Sequence, residues 1–132
     1  MAVRLTNAAA SATADSTGLR AYISTTPKLV IYTGTVNANA ELAPEGTTLA
    51  TVTLGNFGVA NNGAIASAGG NATAADSGTA ACWALFKSDG TTKVADGSVA
   101  ETTGGDLNFD ETAFLSGGTV AVGTFTLTVP PA

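Results

Sequence analysis

Histidine is absent from this chain, and cysteine and tryptophan occur once each. The missing imidazole removes the commonest general base, the Ser-His-Asp and Cys-His arrangements, and the usual zinc sites. A single thiol, Cys82, cannot form an intrachain disulfide. It lies in the apolar run Ala80-Ala81-Cys82-Trp83-Ala84-Leu85-Phe86, which implies a buried, inert group. Charge is scarce as well, at 11% of residues, against about a quarter in ordinary soluble domains. The net charge is -5, and the five basic residues, Arg4, Arg20, Lys28, Lys87 and Lys93, are scattered along the sequence. No basic run can track a phosphate backbone, so nucleic-acid binding is not expected. No apolar stretch has the length of a signal peptide core or a membrane span. A protein made and kept in a cytoplasm, or assembled into a particle there, is the expectation.

What the chain does have is threonine, glycine, alanine and asparagine, the residues of short strands and turns. Its 132 residues suit one domain. Hydrophobic content is 45%, much of it alanine, so the aromatic side chains must carry a large share of burial. Trp83, Phe86, Phe109, Phe114 and Phe125 are expected in or near the core.

Residues 5–16 form the one candidate helix, with Leu5, Ala8, Ala9 and Ala12 on one face and Gly18 as its terminator. So shallow a stripe needs a partner surface: either it packs on the sheet or residues 1–26 act as an arm that orders on assembly. The β domain then covers 27–132. Lys28–Thr33 and Thr47–Leu54 read as strands, the second with imperfect phase. Asn61-Asn62-Gly63 marks a turn between weak strands near Val59 and Ile65, and residues 66–77 read as loop with one edge strand. Residues 78–87 are apolar on both faces, the mark of a central strand. Asp89-Gly90 suits a type I′ turn into the strand 92–99. Within residues 119–129, Val120 and Val122 share one parity while Phe125, Leu127 and Val129 share the other, so a bulge or bend is expected at Gly123. These short strands indicate an all-β domain, a single antiparallel sandwich or small barrel with a short N-terminal helix or extended arm.

The inventory for chemistry is thin. Asp110-Glu111 are adjacent, and neighbours on a strand face opposite sides. Asp89, Asp96 and Asp106 beside glycine-rich loops could be considered for calcium, but their spacing fits no EF-hand or nonapeptide repeat. Gly104-Gly105 and Gly117-Gly118 lack the lysine and following helix of a phosphate loop. Neither enzymatic activity nor a cofactor is expected. Arg4, Leu5, Leu19, Arg20 and Tyr22 are the candidate partner-binding residues, because arginine and aromatic side chains are enriched where proteins meet.

Several segments together resemble small virion proteins of tailed bacteriophages. They are Met1-Ala2-Val3-Arg4-Leu5-Thr6-Asn7-Ala8-Ala9, Leu29-Val30-Ile31-Tyr32-Thr33-Gly34, the Leu49 to Leu54 strand, Gly78-Thr79-Ala80 through Trp83, Ser88-Asp89-Gly90-Thr91, Asp96-Gly97-Ser98-Val99, Gly105-Asp106-Leu107-Asn108-Phe109, Gly117-Gly118-Thr119-Val120 and Thr124-Phe125-Thr126-Leu127-Thr128-Val129-Pro130. Residues 14–27 depart from that group, being polar where a longer apolar helix is often seen. The resemblance implies a structural part of the particle, assembled in the host cytoplasm, homo-oligomeric, and bound to the major capsid protein or other virion proteins. Capsid decoration is the foremost expectation, with a tail or head-tail joining role as the alternative. A surface carbohydrate-binding β-sandwich is the third reading.

Overall fold

The computed structural model describes residues 4–14, 22–34, 46–58, 64–67, 69–101, 107–109, 112–123 and 125–128. The fold is all-β, with few helical positions among the described residues. In order the elements are β1 (Arg4–Leu5), α1 (Asn7–Ala14), β2 (Lys28–Tyr32), β3 (Thr48–Thr53), β4 (Ala64–Ser67), β5 (Gly70–Thr73) and β6 (Gly78–Thr79). They continue with β7 (Cys82–Phe86), β8 (Lys93–Glu101), β9 (Leu107–Phe109), β10 (Ala113–Phe114), β11 (Thr119–Val122) and β12 (Phe125–Thr128).

The main sheet runs β1-β8-β7-β2-β3, with β9 also paired to β8. As its two apolar faces require, β7 is central, and all five of its residues are buried. Trp83 and Leu85 point into the main core with Leu29, Ile31, Val52 and Ala95, whereas Ala84 and Phe86 join Val30 and Tyr32 in a smaller cluster. The phase slip in β3 has a local cause. Its register to β2 shifts between Ile31 and Tyr32, so the consecutive residues Leu49 and Ala50 are both buried.

At Gly123, where a bulge or bend is expected, the ladder is interrupted, and the partner strand is interrupted opposite it. β11 pairs with β5 and β12 with β4 in one continuous register, Val122 opposite Gly70 and Phe125 opposite Ser67. Two residues separate the halves in each strand, and because Val122 and Phe125 are both buried despite opposite parity, the buried face of this single ribbon changes at that corner. β5 lies along the outer edge of β3, where Ala75 N–H donates to the Leu49 carbonyl (2.7 Å) and Gly55 N–H to the Gly69 carbonyl (3.1 Å). Beyond the corner, Phe125 packs edge-on against Trp83, with ring centroids 5.2 Å apart at 89°. The corner itself is held by Ser67, whose buried hydroxyl donates to the Gly55 carbonyl (2.8 Å) and accepts from Gly69 N–H (3.1 Å). Gly69 has a φ of 90°, and a Cβ there would collide with the Val122 and Gly123 carbonyls.

Four sequence expectations need correction. The helix begins at Asn7 rather than residue 5, because Thr6 caps it: Ala9 N–H donates to Thr6 Oγ1 (3.3 Å). Ala9 is buried but Ala8 is exposed, so the proposed alanine stripe does not face the core as a unit. The strand expected over 78–87 is two strands, since β6 leaves the main sheet to pair with β10. Asp89-Gly90 is not a type I′ pair: Lys87 N–H donates to the Thr92 carbonyl and Gly90 N–H to the Lys87 carbonyl, each at 2.9 Å, and Gly90 alone of the two is left-handed. The described sheets are antiparallel except where β9 pairs parallel to β8. Val59, Gly18 and the Asn61-Asn62-Gly63 turn lie outside the described residues, as does the side chain of Phe109.

Candidate partner-binding surface

Arg4 and Leu5 form the edge strand of the main sheet, opposite Asp96 and Ala95 of β8. Leu5 packs against the main core. Thr6 continues the attachment, its N–H donating to the Val94 carbonyl at 2.9 Å and its hydroxyl to the Lys93 carbonyl at 3.3 Å. The described part of the N-terminal segment is therefore joined to the sheet. Asp96 itself is buried and ion-paired with Lys93, Oδ2 to Nζ at 2.9 Å.

Tyr22 is half-buried against the core, and Lys87 Nζ stands 4.3 Å from its ring centroid. The following residues turn sharply, with Ser24 and Thr26 left-handed at φ 66° and 41°. Thr26 N–H donates to Asn56 Oδ1 (2.8 Å), and Ile23 is fully buried. Leu19 and Arg20 lie outside the described residues, as do Asp106, Asp110 and Glu111. Of the five partner-binding candidates, the structure thus brings Arg4 and Leu5 together on β1 and places Tyr22 separately beneath Lys87.

Pairing also gathers what the sequence scatters. Lys28 sits opposite Phe86, and Phe86 opposite Lys93, with Lys87 the next residue along. Three lysines therefore share the end of the sheet that carries the 88–91 turn. Asp89 belongs to that turn, not to a ligand group. Its carboxylate accepts from the Thr92 hydroxyl (2.6 Å) and from the Thr92 and Thr91 N–H groups (2.9 Å each). These bonds, the Thr92 hydroxyl's foremost, lower its pKa from 3.8 to about 2. Among the described residues no three potential metal-ligating side chains come together.

The opposite end holds a residue that sequence reasoning passed over. Leu115 is 75% exposed and is the one large hydrophobic side chain so displayed among the described residues. Strand alternation at Ala113-Phe114-Leu115 sends Phe114 inward and Leu115 outward. In the sequence Ala113-Phe114-Leu115 is simply an apolar run, so nothing there marked which side chain faced out. The loop between β5 and β6, with exposed Asp76, is joined to the turn after Leu115 by the Ser116 N–H donating to Ser77 Oγ. No helix among the described residues is long and apolar enough to cross a membrane. No protein-family model, curated protein or solved structure matches this chain.

Proposed function

We propose that this protein is a structural component of a tailed-bacteriophage particle, a capsid decoration protein that binds the major capsid protein lattice and stabilises the head. The observation that carries the reading is the chemical difference between the two ends of the sheet. One end gathers Lys28, Lys87 and Lys93, and the other displays Leu115 beside Asp76. Between them β3, β5 and β11 expose Thr51, Thr53, Asn71, Thr73, Thr119 and Ala121, none of them charged. A rigid β scaffold with unlike ends suits attachment in one orientation, where contacts repeated over a lattice add through avidity. The segments that carry the phage resemblance include β2, β7, β8 and the bent ribbon, so they build the scaffold that sets those ends apart.

Copy number tests this reading. Quantitative mass spectrometry of purified particles is expected to find the chain at hundreds of copies, in proportion to the capsid protein. A handful or a few tens of copies would replace decoration by the tail or head-tail role. Absence from particles would end both, and retention of the isolated domain on a glycan array would favour a carbohydrate-binding role.

A further inference from the structure

Resting on that reading, we infer that Leu115 is the docking knob of this protein, seating in an apolar socket with a basic rim on the neighbouring particle protein. A lone exposed leucine is commonplace on protein surfaces. What sets this one apart is its mounting. Gly118 N–H donates to the Leu115 carbonyl (2.8 Å), closing a turn in which Gly117 takes a φ of 87°. The turn is then fastened to the neighbouring loop at three points. Gly117 N–H donates to the Ala74 carbonyl (2.9 Å) and Ala74 N–H to the Gly118 carbonyl (2.8 Å). Ser116 N–H donates to Ser77 Oγ (2.9 Å). Beneath it, Phe114 is buried in the main core.

The backbone that carries Leu115 has thus lost much of its freedom before any partner arrives, and only the side chain's own rotamers are left to order. Little further ordering is needed on binding, which is the condition under which one apolar anchor counts most. The surroundings fit a close approach: Ala113, Ser116, Gly117 and Gly118 are exposed and small, and nothing stands within 4 Å of where a Gly117 Cβ would be. The rim of the socket follows from charge. Asp76 is exposed on the loop that fastens the turn, and the whole chain carries -5. A basic rim steers such a surface and an acidic one repels it.

The test uses full-length protein expressed during infection. Leu115→Asp and Leu115→Ser are expected to melt within a degree or two of wild type, since the side chain is largely solvent-exposed, and to fall at least tenfold in copies per particle. Leu115→Met should be retained. Asp76→Lys should reduce incorporation, with the deficit smaller at high salt. Incorporation of Leu115→Ser at the wild-type level overturns the knob while leaving the particle reading intact. A wild-type chain missing from particles overturns both.

Discussion

Gly97 stands opposite Trp83 in the β7–β8 ladder, and a Cβ at Gly97 would lie 2.7 Å from three atoms of the indole. The bare backbone of β8 is therefore the floor on which the tryptophan rests. Trp83 is 1% exposed, and its Nε1 finds no hydrogen-bond acceptor among the described residues. Its place is determined by packing against Gly97 and Phe125 rather than by a polar tether. Gly97→Ala should consequently destabilise the fold by about 1–3 kcal/mol, as overpacking of a filled core does. Urea unfolding followed by the fluorescence of this single tryptophan measures it, and an unchanged midpoint would contradict the packing. The burial of Trp83 was legible in its apolar run, but the need for glycine at position 97 was not, because it arises from a cross-strand neighbour. Asp89 provides a second test at this scale. A carboxyl whose pKa drops from 3.8 to about 2 on folding stabilises the native state fully above the higher value. That contribution is lost as pH falls through the lower value. The stability advantage of wild type over Asp89→Asn should therefore hold at neutral pH and shrink from pH 3.8 towards about 2. An advantage independent of pH over that interval would remove the turn carboxylate from the account.

Among the elements, the bent ribbon shows most clearly where sequence reading succeeds and stops. The bend was legible on one strand because Val120, Val122 and Phe125 are large enough to reveal a change of parity, and all three are buried. Its partner, β4–β5, contains Ala64, Ala66, Gly70, Asn71 and Ala72, whose small side chains leave no clear alternation to read. Those residues take their register from β11 and β12. The N-terminal edge strand was missed for a similar reason: two residues cannot display a period, and β8 supplies the template. Ser67 holds the ribbon corner, so its loss should be felt there first. Ser67→Ala leaves the Gly55 carbonyl and Gly69 N–H without their hydroxyl partner, a cost of about 1–3 kcal/mol for buried groups. Hydrogen exchange should show faster opening of the amides in β4, β5, β11 and β12, with those of β7 little changed. Uniform loss of protection across both regions would mean that the corner is not a local fastening.

For the whole molecule, the informative quantity is polarity along the strands rather than net charge. The sequence shows scattered basic residues, and antiparallel pairing brings Lys28, Lys87 and Lys93 to one end while Leu115 occupies the other. Along β2, the four-residue rise from Lys28 to Tyr32 is about 13 Å, so the ends are far enough apart to meet different surroundings. If Leu115 faces the particle, the lysine end faces away from it and makes no contact needed for attachment. The double variant Lys28→Glu/Lys87→Glu is then expected to incorporate at the wild-type copy number. Its modest loss of stability should come from the Lys87–Tyr22 contact, worth about 0.5–1 kcal/mol at an exposed site. Lys93 is left in place because Asp96 depends on it. Measured beside Leu115→Asp, the double variant fixes orientation: failure of the leucine variant alone places that end against the particle. Loss of the lysine variant with retention of Leu115→Asp would turn the molecule over, because attachment would then follow the charged end rather than the apolar knob.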